Sequence, residues 1–230
     1  MSGACASLIG MGERKLDDRL VLFPLGERGW LLRIRDVRPA WPAQWRLLNL
    51  AEHLRALPEV ESAVVGDLSL AVVYRHWAQA QAAGGHLQEA YARQPDHPLD
   101  TVRLHRIPVV FDGEDLAPVA CRCGLPEHEL VEQLLAISLR VRFTGFLPGF
   151  AYLDGLPEHL HLPRRPQPRA HVPAGSLALA GGYAAIYPFA SPGGWHLLGR
   201  TTLPLFDANR RPPGLLQPGD EVRLVMETMP

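Results

Sequence analysis

The chain has 230 residues, 47% of them apolar and 20% charged, with a formal net charge of −1. That is enough apolar material for one large domain or two small ones, and it argues against disorder. The near-neutral balance removes the broad electrostatic drive toward nucleic acid or a membrane surface.

Basic residues are arginine apart from Lys15, so lysine chemistry is excluded unless that one residue supplies it. Three cysteines, Cys5, Cys121 and Cys123, make no paired framework and suit a reducing compartment. The Cys121-x-Cys123 spacing is not that of a metal or redox pair, and both are expected to be plain thiols. No apolar run approaches the ~18 residues of a membrane span, and the first twenty residues lack a secretory pattern. The expected location is the cytoplasm, with no nucleic-acid and no membrane partner.

Arg19 to Pro24 and Trp30 to Arg35 read as two short strands joined through Gly26 to Gly29. Trp41, Trp45, Leu48 and the series Leu47, Leu50, Leu54, Leu57 recur at helical spacing until Pro58 stops them. Glu59 to Val65 and Leu68 to Tyr74 flank Gly66-Asp67, a two-residue hairpin signal. A second helical pattern runs from His76 to Arg93, weakened by Gly84-Gly85, and ends in Gln94-Pro95-Asp96-His97-Pro98, the expected linker. Residues 1–96 are therefore expected to form a small α+β domain with helices on one face of a sheet.

Beyond the linker, Thr101 to Phe111 reads as a strand, and Asp115 to Cys121 and Pro126 to Ala136 as helices, with Pro126 in a first turn. Leu139 to Thr144 returns to strand. From Gly145 to Thr201 glycine and proline stand at about twice their density elsewhere, interrupted by the apolar runs Ser176 to Ala180, Ala184 to Phe189 and Trp195 to Leu198. This pattern predicts short strands on a tightly turned framework. Gln217 to Asp220 reads as a turn before a last strand, Glu221 to Met226. Short strands and frequent turns favour a small closed barrel over residues 97–230.

Candidate chemistry gathers in the turn-rich segment. Gly194 to Thr201 has the spacing of a phosphate-binding loop, but its bulky apolar residues and the following Leu203-Pro204 make it a strand instead. Arg164, Arg165, Arg169 and Arg200 could form an anion-binding rim, since arginine binds carboxylate or phosphate bidentately and keeps its charge when desolvated. Equally, they could be spent on carboxylates such as Asp154, Glu158 or Asp207, or on free carbonyls. On an alternating strand His196, Leu198 and Arg200 share one face, which could place His196 and Arg200 in one pocket or leave His196 bonded to a carbonyl. His159, His161 and His171 lack a regular ligand spacing, so no metal is expected. No nucleophile–histidine constellation can be assembled, and Ser176 lacks a nucleophile elbow.

Four ordered runs carry a resemblance: Gly145-Phe146-x-Pro148-Gly149-Phe150-x-Tyr152-Leu153, Pro163-Arg164-Arg165-x-x-Pro168-Arg169, Val172-Pro173-Ala174-Gly175-Ser176, and Ser191-Pro192-Gly193-Gly194-Trp195-His196-x-x-Gly199-Arg200-Thr201. They resemble the signature of the family of 5-oxoprolinase B subunits, also labelled allophanate hydrolase subunit 1, KipI, or carboxyltransferase subdomain C and D. The resemblance implies an N-terminal α+β domain followed by a cyclophilin-like β-barrel, without implying isomerase activity. It implies partnership with a C-type subunit of related barrel fold and with an A-type subunit, together opening 5-oxoproline to glutamate with ATP and magnesium at the level of the complex. It places Arg164, Arg165, Arg169, Ser176, His196 and Arg200, framed by Tyr187, Gly193, Gly194 and Thr201, along a substrate or anion site. Two alternatives stay open: a KipI-like inhibitor of a sensor histidine kinase, and a carboxyltransferase-like module of urea metabolism. The chain departs from the family where Tyr183-Ala184-Ala185 replaces Gln-Thr-Gly, where Leu134-Leu135-Ala136 replaces a Leu-His-Ser segment, and in a short loop at Asp112 to Leu116.

Overall fold

The computed structural model describes residues 14–17, 19–35 and 37–227. Cys5 and the rest of the chain's first thirteen residues lie outside the described residues. The chain divides into two compact units between Asp100 and Thr101.

The first unit is an antiparallel sheet in the order β1 (Arg14–Asp17), β2 (Leu20–Leu25), β3 (Gly29–Ile34), β5 (Ser69–Tyr74), β4 (Val60–Gly66). Alternation sets its inner face: Trp30, Leu32 and Ile34 of β3 and Leu70, Val72 and Tyr74 of β5 are buried. Helix α1 (Trp41–Arg55) covers that sheet, burying Leu47, Leu50, Ala51 and Leu54.

The β4–β5 turn differs from the expected one. Gly66 still pairs with Ser69, so the two loop residues are Asp67 and Leu68, and Leu68 takes φ +45°. The cause is remote in sequence: buried Gln44 of α1 donates to the Gly66 carbonyl (3.0 Å) and accepts from the Leu68 amide (2.9 Å). Two hydrogen bonds to a buried amide outweigh the cost of a left-handed leucine. The expected helix over 76–93 is two short ones, α2 (Trp77–Ala83) and α3 (Leu87–Ala92). Gly84 breaks the pattern and lies against the Trp30 indole, whose Nε1 donates to the Ala80 carbonyl (2.7 Å).

The second unit contains β6 (Leu104–Val109), α4 (Leu116–Cys123), α5 (Glu127–Ala136), β7 (Leu139–Thr144), β8 (Ala151–Asp154), β9 (Arg169–Val172), β10 (Ser176–Ala180), β11 (Tyr183–Ile186), β12 (Ser191–Gly193), β13 (His196–Arg200) and β14 (Glu221–Met226). Pro126 is the extended residue before α5 rather than part of its first turn. Seven strands form one sheet in the order β13-β10-β11-β8-β7-β14-β6. Its two edges meet where Val110 and Arg200 exchange main-chain hydrogen bonds of 2.9 and 2.8 Å, giving the nearly closed barrel-like sheet expected from the sequence. The short ribbon β9–β12 lies apart from it.

Strand β10 is buried at every position. Leu177 and Leu179 enter the barrel core, whereas Ala178 and Ala180 face a second cluster with Phe150, Tyr187 and Trp195. Burial on both faces explains why this strand is a continuous apolar run rather than an alternating one.

The seam also explains two glycines. A side chain on Gly199 would run into the Val110 carbonyl and Phe111, and one on Gly113 into the backbone of Leu197 to Gly199. Gly145, by contrast, has room, its nearest neighbour being the Tyr152 ring at 4.0 Å. Gly199→Ala is expected to cost about 2–3 kcal/mol by prising the seam apart, lowering Tm by roughly 5–10 °C, while Gly145→Ala stays within ~2 °C of the parent. Equal melting temperatures for the two variants would show that the seam tolerates opening.

Candidate functional site

The loop after β6 and the start of α4 meet strand β13 and the arginine-rich loop that leads into β9. At their meeting point is Asp115, 4% exposed, in the N-cap position of α4. Its side chain does not cap that helix. Instead Oδ2 accepts from the Leu197 amide (2.7 Å), and Oδ1 accepts from Arg165 Nη1 (2.7 Å) and Arg169 Nη2 (2.9 Å). The Asp115 amide donates back to the Leu197 carbonyl (3.0 Å), so main chain and side chain both grip β13.

Burial by itself raises the Asp115 pKa. The hydrogen bonds from Arg169 and the Leu197 amide, with the charges of Arg169 and Arg165, outweigh that and hold it below the ordinary carboxylate value. Arg169 is further committed, to Glu114 through Nε (2.6 Å) and to the Trp195 carbonyl through Nη1 (3.3 Å). A cavity of about 460 Å³ opens beside this cluster, lined by Asp115, Arg122, Arg165, Gln167 and His196 among others. Arg165 Nε is buried there without a hydrogen-bond partner.

The ten residues expected at the site fall into three groups. Arg165, Arg169 and His196 converge around Asp115, with Gly194 accepting from the Arg165 amide (2.7 Å). His196 Nε2 lies 2.9 Å from the Pro163 carbonyl, to which it donates. Ser176, Arg200 and Thr201 belong to the seam. Ser176 Oγ donates to Pro173 (2.8 Å), Arg200 pairs with Asp112 (2.8 Å), and Thr201 Oγ1 accepts from the Leu203 amide (3.2 Å).

His196 and Arg200 do not share a face, contrary to the alternation expected. The β10–β13 register slips so that Leu198 is an extra residue, a β-bulge that reverses the alternation between them. His196 then stands opposite Leu179, which faces the barrel core, and Arg200 opposite Ser176.

The third group is Arg164, Tyr187 and Gly193. The Arg164 side chain is exposed and, among the described residues, makes no hydrogen bond or ion pair. Burial raises the Tyr152 and Tyr187 pKa values, and the Arg164 charge works against that rise in both. Tyr187 is 1% exposed, and its hydroxyl lies so close to Gly193 that any side chain there would displace it. Tyr152 and Tyr187 each stand edge-on to Phe150, at centroid distances of 5.1 and 5.3 Å.

Sequence reasoning missed the acids. The carboxylates that take up the arginines are Asp112, Glu114 and Asp115, not Asp154, Glu158 or Asp207. Three acids in four positions between a strand and a helix, in a chain whose turn-rich half is rich in arginine, was the available signal. Among the described residues no group of His, Cys, Asp and Glu is arranged to hold a metal ion. His159 and His161 bond instead to Gln133 (2.8 Å) and the Leu156 carbonyl (2.9 Å). No helix among the described residues is long and apolar enough to cross a membrane.

A family model, "Carboxyltransferase domain, subdomain C and D", matches residues 20–216. The 5-oxoprolinase B subunit of Escherichia coli O157:H7 is 44% identical over 191 residues, covering 80% of this chain and 85% of that protein. The crystal structure of TTHA0988 superposes with a TM-score of 0.75 at 38% identity, over 88% of this chain. This chain spans 40% of the length of TTHA0988. The urea carboxylase of Kluyveromyces lactis shares the fold, with a TM-score of 0.69 at 17% identity over 95% of this chain and 23% of that one.

The depressed Asp115 pKa fixes the sign of a pH effect. Its stabilisation is present above the unfolded-state value of about 3.9 and is lost as the pH falls through the still lower folded value. Asp115→Asn is expected to cost about 2–3 kcal/mol near neutral pH, because two guanidiniums lose their shared partner. In urea denaturation at a series of pH values, the gap between parent and variant should shrink on acidification below about pH 4. A gap that stays constant down to the acid limit would mean that the carboxylate's charge contributes nothing.

Proposed function

Because the chain belongs to the carboxyltransferase-domain family, subdomains C and D, we propose that it is the B-type subunit of an ATP-dependent 5-oxoprolinase complex. In this reading it opens 5-oxoproline to glutamate in the cytoplasm together with an A-type subunit and with a C-type subunit of related barrel fold, and is inactive alone. Support comes from the 44% identity to the Escherichia coli B subunit. The observation that carries the site assignment is Arg164: Arg165, Arg169 and Arg200 are ion-paired, whereas Arg164 is exposed and has no hydrogen bond or ion pair among the described residues.

The substrate is a lactam bearing a carboxylate, and its amide is stabilised by resonance. A free guanidinium suits the carboxylate, which it can bind bidentately. The partly buried phenol of Tyr152, with its pKa raised by burial, remains protonated and able to donate near neutral pH, while the fully buried Tyr187 packs within the aromatic layer. This chain's part is then to bind and orient the substrate in a fixed pose, which converts a slow bimolecular step into an effectively unimolecular one. The Asp115 cluster acts indirectly, by holding the backbone on either side of Arg164.

ATP, when bound in the complex, would activate the lactam carbonyl for attack by water. The segment with phosphate-loop spacing does not fit a nucleotide, because the amides of His196 to Arg200 lie in a strand, and the nearby Asp112, Glu114 and Asp115 are taken up by arginine. No step on this chain is therefore routed through the nucleotide. The likeness to urea carboxylase is one of fold and carries no reaction to this chain.

Co-expression with the A-type and C-type partners should give ATP-dependent release of glutamate from 5-oxoproline, with none from the chain alone. No complex and no activity, beside a working Escherichia coli control, would remove this reading. Within an active complex, Arg164→Ala should raise the KM for 5-oxoproline tenfold or more and leave Tm within ~2 °C, because the side chain is exposed and unpaired. Arg164→Lys should recover part of the loss. An unchanged KM would take Arg164 out of the site.

A further inference from the structure

The first unit holds a cavity of about 510 Å³ between the end of α1, the two short helices α2 and α3, and the sheet beneath them. Its lining residues all fall between His53 and Ala90, a stretch described throughout. The floor is apolar and closed: Leu54 and Leu87 are 4% and 3% exposed, with Leu57 beside them. His53 and His86 stand exposed at the mouth.

Two oxygen groups interrupt that apolar lining. Tyr74, at the end of β5, is 3% exposed, and its phenol makes no hydrogen bond among the described residues. The phenol oxygen is not sealed among protein atoms, so its opening is into the cavity that the residue lines. The Glu59 carboxylate lines the same space, also with no hydrogen bond or ion pair among the described residues. Strand pairing brings the two together, since Val60 stands opposite Tyr74 and the Arg75 amide donates to the Glu59 carbonyl (2.9 Å). Burial pushes the Tyr74 pKa up to about 12, with the Glu59 charge adding to the rise, so the phenol stays neutral. Among the described residues no lysine or arginine lines the cavity, and Arg75 is turned to the Pro58 carbonyl, to which its Nε donates (2.9 Å). A buried polar group without a partner costs free energy, and a group outside the chain's own contacts is then expected to satisfy it.

We propose that this cavity binds a small primary amine with an apolar body, held as its ammonium ion. The ammonium has three donors and no acceptor, which suits one carboxylate and one phenol oxygen that both lack a donor. Its apolar body lies on Leu54, Leu57 and Leu87, the surface that the cavity leaves uncovered. An anionic head is disfavoured there by repulsion from Glu59, the one acid in the lining. The volume falls within the ~300–1,000 Å³ of sites that hold small organic ligands, and an apolar lining with a few convergent polar groups is their usual character. The site is built wholly from the first unit and does not depend on the ring-opening reading, so it can fail while that reading stands.

The test uses the full chain near neutral pH, titrated separately with benzylamine, benzyl alcohol, benzoate and ammonium chloride at matched ionic strength. Binding is read from 15N amide shifts at Leu54, Leu57 and Leu87 and from Tm. Benzylamine should shift those amides saturably and raise Tm, with each of the other three binding at least tenfold more weakly. Glu59→Gln should weaken benzylamine binding tenfold or more, and Tyr74→Phe about fivefold. Neither substitution removes a bond within the chain, so the unliganded Tm of each variant should equal or exceed that of the parent. The proposal is overturned by an absence of saturable shifts, by unchanged affinity in either variant, or by benzyl alcohol binding as tightly as benzylamine. Tighter binding of benzoate would reverse the charge preference, and a lower Tm for Tyr74→Phe would show that the phenol already has a partner; either result also overturns it.

Discussion

The barrel unit's functional geometry rests on one buried carboxylate. Asp115 has left water, and a charge in that position is tolerated only when paired and hydrogen-bonded. Its two oxygens accept one amide and two guanidinium bonds, which come from three separate parts of the chain: strand β13, Arg165, and Arg169 at the start of β9. Removing any one of them would leave part of a buried charge uncompensated, so the three are held together by the cost of separation more than by any single bond. The helix start, the strand and the arginine loop consequently behave as one body.

That arrangement decides which arginine remains free to act. Arginine is useful at a site because it keeps its charge when desolvated, and the same property makes it an effective internal strut. Arg165 and Arg169 are struts, and Arg200 is held by Asp112 across the barrel seam. With the loop pinned at those two arginines, the remaining guanidinium of Arg164 is offered from a backbone of low entropy, stiffened further by Pro163, Pro166 and Pro168. A preorganised cation loses little freedom when an anion arrives.

Where structure followed from nearest neighbours in the sequence, the sequence was legible. Strands β7, β10 and β14 match the expected bounds residue for residue, since alternation or a continuous apolar run between turn formers is a local signal. What was not legible came from contacts distant in sequence. Gln44 moves the β4–β5 turn by one residue from 22 and 24 positions away. One bulge at Leu198 separates His196 from Arg200, and no residue type announces it. The acids that neutralise the arginine loop are more than fifty positions away from Arg169. The departure at Tyr183-Ala184-Ala185 has a packing account that composition did not suggest. Tyr183 stands edge-on to Phe143 and Tyr152, while Ala184 and Ala185 are fully buried on opposite faces of β11, in the barrel core and the aromatic layer. Side-chain size is constrained on both faces there, and the substituted residues fit the two packed layers.

A near-zero net charge conceals how unevenly that charge is spread. Basic and acidic residues number 23 and 24, so the chain as a whole exerts little long-range pull on any ion. Local balance differs: acids crowd the Asp112 to Asp115 loop and cancel three arginines, whereas Arg164 has no ion pair among the described residues. Global neutrality with local excess favours small anions over polyanions. A polyanion gains from many phosphate contacts and counterion release, which an overall neutral surface does not supply. A small anion needs only a few fixed donors at short range. The same arginine-rich composition thus yields struts where carboxylates face it and receptive sites where they do not.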